Sequence, residues 1–317
     1  MNEGWVAKPA AGTALVACAA SMWGFWPYFL RHAESYGGLD PALESAASMA
    51  MCIVVSAFLV RSDRVAVRAN ARAWIGIAWL GISDALNALF FFRAYQTTTV
   101  AIAVLTHYLA PLFIVIAAPL VLHERADRRT SMAVLLSFGG LVLLLEPWQT
   151  HASSSLAIGA MFGAGSAIFY ASNVLVNKRL VPIFSGSEMM LFHALIATPL
   201  LAFLAPHDSW RAIDAHAFAW LLAGSLFSGA IPGLLFVWGL RSIPASRAST
   251  LTLLEPLVAV MMVGVLIFGE SIHVLGAMGG TLILTGAALV LSRDQSSNID
   301  MRVNTQRNTT PSQPSDQ

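Results

Sequence analysis

Ten apolar runs of membrane-crossing length divide this chain, and they constrain its fold more than any other feature: 12–30, 41–60, 73–92, 98–122, 131–145, 156–176, 187–205, 217–240, 246–268 and 272–292. A hydrocarbon core of roughly 30 Å takes about 20 mostly apolar residues per helix. Within it every backbone N–H and C=O must be satisfied inside the protein, so only helices and closed barrels span it. The runs are continuous and lack period-two alternation, which excludes the barrel. The run 131–145 is short for a full span and is expected to extend toward Pro147. Composition agrees, since 57% of the residues are hydrophobic and 11% charged, against about 25% charged in a soluble domain. That balance excludes a cytosolic enzyme, a secreted disulfide scaffold and a disordered chain. The first run is too long for a signal-peptide core and holds Trp23, Trp26 and Pro27, so it reads as a retained helix. The expectation is an all-α integral membrane protein with ten transmembrane helices.

Charge placement sets the orientation. With the N-terminus in the cytoplasm, 15 of the 18 Lys and Arg residues fall on the cytoplasmic side, leaving only Arg31, Arg93 and Arg211 opposite. This positive-inside bias implies a multi-pass protein with both termini cytoplasmic. A net charge of +1 argues against a nucleic-acid partner. Cys18 and Cys52 both lie in apolar runs without CxxC spacing and read as buried thiols. Residues 1–11 form a short cytoplasmic N-terminus. Residues 293–317, rich in Ser, Asn, Gln, Thr and Asp, are expected to be a disordered cytoplasmic tail.

The ten runs contain an internal repeat. Laying 236–256 against 91–111, an offset of 145, brings Ala94 to Gly239, Ala103 to Ala248 and Pro111 to Pro256. His123-Glu124 and Gly269-Glu270 end the two fourth helices, one residue out of step, and Gly140 and Gly286 follow sixteen residues after those glutamates. Near the start, Trp23-Gly24 faces Tyr170-Ala171 at an offset of 147. The first repeat covers 12–146 and the second 156–292, with five helices each. An odd number of spans forces the second copy to enter from the opposite side, so the repeats are inverted. Inverted repeats recur in secondary transporters, with a site between the halves near the midplane.

The stretches Phe92-Arg93-Ala94-Tyr95, Leu109-Ala110-Pro111, His123-Glu124, Leu253-Leu254-Glu255-Pro256 and Gly269-Glu270 resemble the two EamA repeats of the drug/metabolite transporter superfamily, over roughly 12–292. The resemblance implies a ten-helix carrier of the bacterial inner (cell) membrane. It also implies efflux of small organic solutes, either amino-acid-like metabolites or drugs. Glu44 departs from the pattern, since many members place a basic residue there, so a substrate-carboxylate contact is not carried over to it.

Ionisable groups deep in a span cost about 2.5–3.5 kcal/mol and ask for a reason. Asp84, His107 and Glu255 lie near mid-membrane and are the candidate substrate or proton-coupling residues. At 100° per residue Asp84, Asn87 and Phe91 share one face of the third helix. Ser249, Thr252 and Glu255 share a face of the ninth, and Thr99, Ala103, His107 and Pro111 recur every four residues on the fourth. Pro111 and Pro256 are expected to kink their helices and free the carbonyls of His107 and Thr252. Candidate pocket-lining residues are Trp23, Tyr108, Tyr170, Asn87, Thr252 and Ser249. Each also has a structural reading: the ionisable groups as hydrogen-bonders between helices, the aromatics as interfacial belt, the prolines as ordinary packed kinks. Glu124 and Glu270 read as caps or loop anchors, while Glu188 and His193 could reach a vestibule. No catalytic residues are assigned: the eight histidines show no metal-ligand spacing, so neither metal nor cofactor is expected. No GxxxxGK[ST] stretch is present, so the energy for moving a solute comes from a gradient, a proton's or the solute's own. The expected partners are a small organic solute, membrane lipid and a proton. A non-transporting receptor or scaffold, or a membrane-embedded enzyme, are the alternatives.

Overall fold

The protein is described by a computed structural model covering residues 9–34, 39–60, 69–149, 154–211 and 213–309, the side chains of 34, 154, 155 and 292–309 excepted. Ten helical spans cross it: α1 Pro9–Ala33, α2 Pro41–Leu59, α3 Ala71–Thr97, α4 Val100–Val121, α5 Arg128–Gln149, α6 Leu156–Leu180, α7 Gly186–Leu204, α8 Ala215–Leu240, α9 Ala245–Ile267 and α10 Val274–Leu291. Among the described residues there is no β-strand.

Polar residues just outside the apolar runs set the helix starts. Asn70 Oδ1 accepts from the Ala73 N–H at 3.0 Å, Asp127 from Thr130 at 2.7 Å and Asp214 from Ala217 at 2.7 Å. Ser185 and Glu188 form a reciprocal capping box ahead of α7. Each cap satisfies an N–H that a membrane helix would otherwise leave orphaned. The fifth span lengthens as α-helix at its start rather than its end: the α-helix runs Arg128–Leu145, Glu146 turns left-handed at φ 44°, and only a short turn Pro147–Gln149 continues toward the expected end.

The tail differs from expectation. The last helix runs Val274–Thr309, so 293–309 continue as helix where composition predicts disorder. A helix already nucleated in the membrane propagates at little cost, and Ser, Asn and Asp are weak helix formers rather than breakers. Residues 1–8 and 310–317 of the two terminal segments lie outside the described residues.

The two halves pair reciprocally. Helix α1 packs on α8 as α3 packs on α6, α2 meets α8 as α3 meets α7, and α1 meets α9 as α4 meets α6. The pairs α2–α7, α4–α9 and α5–α10 join equivalent helices. This is the contact map of two inverted five-helix repeats about a pseudo-twofold axis. The α5–α10 crossing depends on small residues: a Cβ on Gly279 would lie 2.4 Å from the Gly140 carbonyl oxygen. Close backbone approach of this kind is the usual glue between helices in lipid.

Both fourth helices break where the prolines predict. In α4 the helix Val100–His107 gives way to a turn at Tyr108–Leu109 before Ala110–Val121. In α9 Ala245–Leu251 ends at a turn before Leu254–Val258, and the remainder winds wide over Ala259–Ile267. One expectation is corrected: the Thr252 carbonyl is not free, because the Glu255 N–H bonds it at 3.0 Å. The chain tightens by one residue, so the neighbouring N–H replaces the donor that Pro256 lacks.

Candidate functional site

A cavity of about 330 Å³ lies between the repeats, walled by α1, α2 and α3 of the first half, by α6, α7 and α8 of the second, and by Glu255 of α9. Its shape depends on the break in α1. Helix Pro9–Trp23 stops at a turn and resumes at Trp26, which places Trp23 and Trp26 in the wall. At the turn Gly24 lies so close to α9 that a Cβ would sit 2.6 Å from the Glu255 carbonyl oxygen.

Asp84 anchors the polar side. Its Oδ2 lies 2.8 Å from His193 Nε2, and its Oδ1 accepts from Asn173 Nδ2 at 3.0 Å. Asn173 Oδ1 in turn accepts from Asn177 Nδ2 at 2.6 Å. The other ring nitrogen of His193 lies 3.3 Å from the Met189 carbonyl oxygen. Both imidazole nitrogens thus face oxygen atoms, which fixes the orientation of the ring.

Glu255 has a different setting. Tyr95, Tyr108 and Tyr170 all lie within electrostatic reach of it, three of the five tyrosines in the chain. Glu44, buried early in α2, is the third carboxylate in the cavity wall. No Lys or Arg is among the described lining residues.

The structure brings together only part of the candidate set. Asp84, Glu255, Trp23, Tyr170 and Asn87 line the cavity. His107 does not. Its Nδ1 lies 2.7 Å from Ser166 Oγ, which donates to Asn87 Oδ1 at 2.8 Å, and its ring packs 4.5 Å from Phe91. Its link to the cavity wall runs through Ser166 and Asn87. Tyr108, Thr252 and Ser249 are also outside the lining. The Thr252 hydroxyl donates to the Ser249 carbonyl at 2.8 Å, and Ser249 to that of Ser246 at 3.0 Å. Hydroxyls satisfied by their own helix need no cavity, and this face of α9 is buried against its neighbours. Pro111 and Pro256 are buried at the helix breaks. Glu188 serves as a cap, while His193 reaches the cavity. Asn173, Asn177 and Trp26 also line the cavity and are not among the residues that the sequence marks as pocket-lining. Tyr170, Asn173 and Asn177 fall at i, i+3 and i+7 on α6, a polar stripe that helical spacing alone could have flagged.

Ten spans in two inverted repeats around a cavity between them are the architecture of a membrane transporter. Residues 10–146 and 157–292 each match the EamA-like transporter family, and the chain belongs to it. An uncharacterized transporter of Archaeoglobus fulgidus is 28% identical over 214 residues, covering 66% of this chain and 74% of the relative. A riboflavin transporter of Vibrio cholerae is 31% identical over 116 residues, 37% of each chain. A solved crystal structure superposes with a TM-score of 0.74 at 18% identity, covering 88% of this chain and 97% of the other, a likeness of fold.

Proposed function

We propose that the protein is an alternating-access exporter of small organic solutes that carry an amine and an apolar, preferably aromatic, body. The cavity between the repeats carries this reading. Its walls combine Trp23, Trp26, Phe92, Tyr170 and Phe236 with the carboxylates Glu44, Asp84 and Glu255. A protonated amine finds charge-assisted acceptors there and its aromatic body finds ring faces. A substrate carboxylate meets no Lys or Arg among the described lining residues, so simple amino acids fit less well than amines. Glu255 is the proposed coupling group: not tied up by a basic partner among the described residues, it binds either a proton or the solute cation. The 15-to-3 distribution of basic residues supports both termini in the cytoplasm of a bacterial cell membrane.

Reconstituted liposomes test the reading. Uptake of 2-phenylethylammonium should exceed that of the near-isosteric 3-phenylpropionate, respond to an imposed pH gradient, and fall at least tenfold in Glu255→Gln. Equal transport of both solutes refutes the charge selectivity. Transport indifferent to the gradient and to Glu255→Gln refutes the proton coupling. Binding without movement of either solute favours a receptor.

A further inference from the structure

Two ion pairs occupy equivalent places in the two repeats. Lys178 near the end of α6 faces Glu124 just past α4 at 3.6 Å. Arg31 near the end of α1 faces Glu270 just past α9 at 3.0 Å. The repeat offsets of 147 and 146 carry Arg31 onto Lys178 and Glu124 onto Glu270. Because the repeats are inverted, the pairs lie at opposite ends of the bundle. We propose that these pairs are two tongues that dock in turn into backbone sockets, the Lys178–Glu124 tongue into the α8–α9 turn and the Arg31–Glu270 tongue into the α3–α4 turn, closing the cavity at one end while the other is open. The proposal rests on the alternating-access reading above.

The structure holds one tongue docked and the other free. Lys178 Nζ donates to the carbonyls of Leu240 and Ile243, each at 2.8 Å, and Glu124 Oε2 accepts from the Ala245 N–H at 3.0 Å. These are orphan groups at the end of α8 and the start of α9, where a cation and an anion respectively are favoured. The pair is largely enclosed, its side chains 14% and 28% exposed. A second bridge, Arg247 to Asp127 at 3.9 Å, joins the same end. Arg31 and Glu270, by contrast, are 57% and 59% exposed, and the guanidinium rests on the Phe268 ring, 4.1 Å from its centroid.

The sockets differ in the same sense. At the offset of 145, Leu240, Ile243 and Ala245 correspond to Tyr95, Thr98 and Val100. The first three are all buried, whereas Tyr95 and Val100 are 37% and 58% exposed. The symmetry therefore specifies the other state. There Arg31 donates to the carbonyls of Tyr95 and Thr98, Glu270 accepts from the Val100 N–H, and Lys178 withdraws from the α8–α9 turn. Arg247 aligns with Ile102, so the second bridge has no counterpart in the other socket. The docked end seen here is accordingly the more stable one at rest.

Hydrogen–deuterium exchange on the full-length reconstituted protein tests this. Lys178→Met should speed exchange over 240–248 at least fivefold and slow it over 95–103, because releasing one tongue lets the other dock. Lys178→Arg should preserve the wild-type pattern, and Arg31→Met should leave 240–248 unchanged. A merely structural lysine would loosen 240–248 alone, and that result, or no change at either end, overturns the proposal. Phenylethylammonium uptake by the same wild-type liposomes separates the two levels: uptake with no reciprocal exchange sinks the tongues, and no uptake despite reciprocal exchange sinks the transport reading while leaving the switch.

Discussion

Removing His193 isolates the Asp84 carboxylate, and the size of the effect follows from the geometry. The imidazole is almost fully buried, the carboxylate is partly open to the cavity, and they meet at 2.8 Å. Breaking a buried pair by deleting one partner costs about 3–5 kcal/mol when the remaining charge has no water. Asp84 keeps the Asn173 amide and some access to the cavity, so His193→Gln should cost roughly 2–3 kcal/mol, toward the unsatisfied-acceptor range. Asp84→Asn alone should cost less, about 1–2 kcal/mol, because the carboxamide keeps an oxygen for the Asn173 amide and leaves no carboxylate without its partner. The double variant strands no charge and should cost about 1–2 kcal/mol, less than His193→Gln alone, which makes the coupling energy about 2–3 kcal/mol. Melting in detergent reads this out, with the pair recovering several degrees relative to His193→Gln at roughly 2–4 °C per kcal/mol. Transport should not recover, because the carboxylate in the cavity wall is gone. Strictly additive single effects, within about 0.5 kcal/mol, would refute the claim that the two groups act as one coupled pair. Recovered transport in the double variant would refute their place in the site.

Three further outcomes follow from contacts already described. Gly279→Leu forces a side chain against the Gly140 carbonyl and the Leu144 N–H, both backbone, and should destabilise by about 1–3 kcal/mol; an unchanged melting temperature contradicts the close α5–α10 crossing. Gly24→Val places carbons where the Glu255 carbonyl and Val258 stand, so it should cut phenylethylammonium transport at least fivefold by displacing α9; full activity in that variant argues against α1–α9 contact in any transporting state. Tags on the two termini should both be reached from the cytoplasmic side in intact cells and inverted vesicles, and tags on opposite sides would contradict the ten-span count.

Most of the scaffold was legible because hydropathy records membrane depth directly. The runs 41–60 and 217–240 correspond to helices Pro41–Leu59 and Ala215–Leu240. The errors fall where polar caps rather than apolar residues set the boundary: Asn70 and Asp127 start α3 and α5 two or three residues before the apolar runs begin. The site was less legible. Depth and helical face picked out Asp84, Asn87, Tyr170 and Glu255, since an ionised or bulky polar group in lipid has few other places to go. The same reasoning misplaced Ser249 and Thr252. A hydroxyl can bond the carbonyl three residues back, so a small polar stripe on a helix is equally compatible with tight packing and with a wet wall. His193 was hard to rank because its partner, Asp84, lies 109 residues away, and only the fold brings them together.

The repeat also separates what the fold needs from what the solute needs. At the offset of 145, Asp84 corresponds to Gly229 and His193 to Ser48; at 147, Asn173 corresponds to Trp26 and Asn177 to Leu30. No member of the polar cluster has a polar equivalent of its own kind except the Ser48 hydroxyl, which packs against Gly229 so closely that a Cβ there would collide with it. Scaffold symmetry therefore does not require the cluster, and its one-sided placement suits a solute with one charged end and one apolar end. The cluster also constrains the motion. Asp84 belongs to the first repeat, whereas Asn173 and His193, which hold it, belong to the second. If the repeats rocked apart as rigid bodies, every cycle would break the Asp84–His193 contact and the Asn173 bond. A motion that keeps these bonds carries α3 together with α6 and α7, and the second repeat has no matching cluster to tie α8 to α1 and α2.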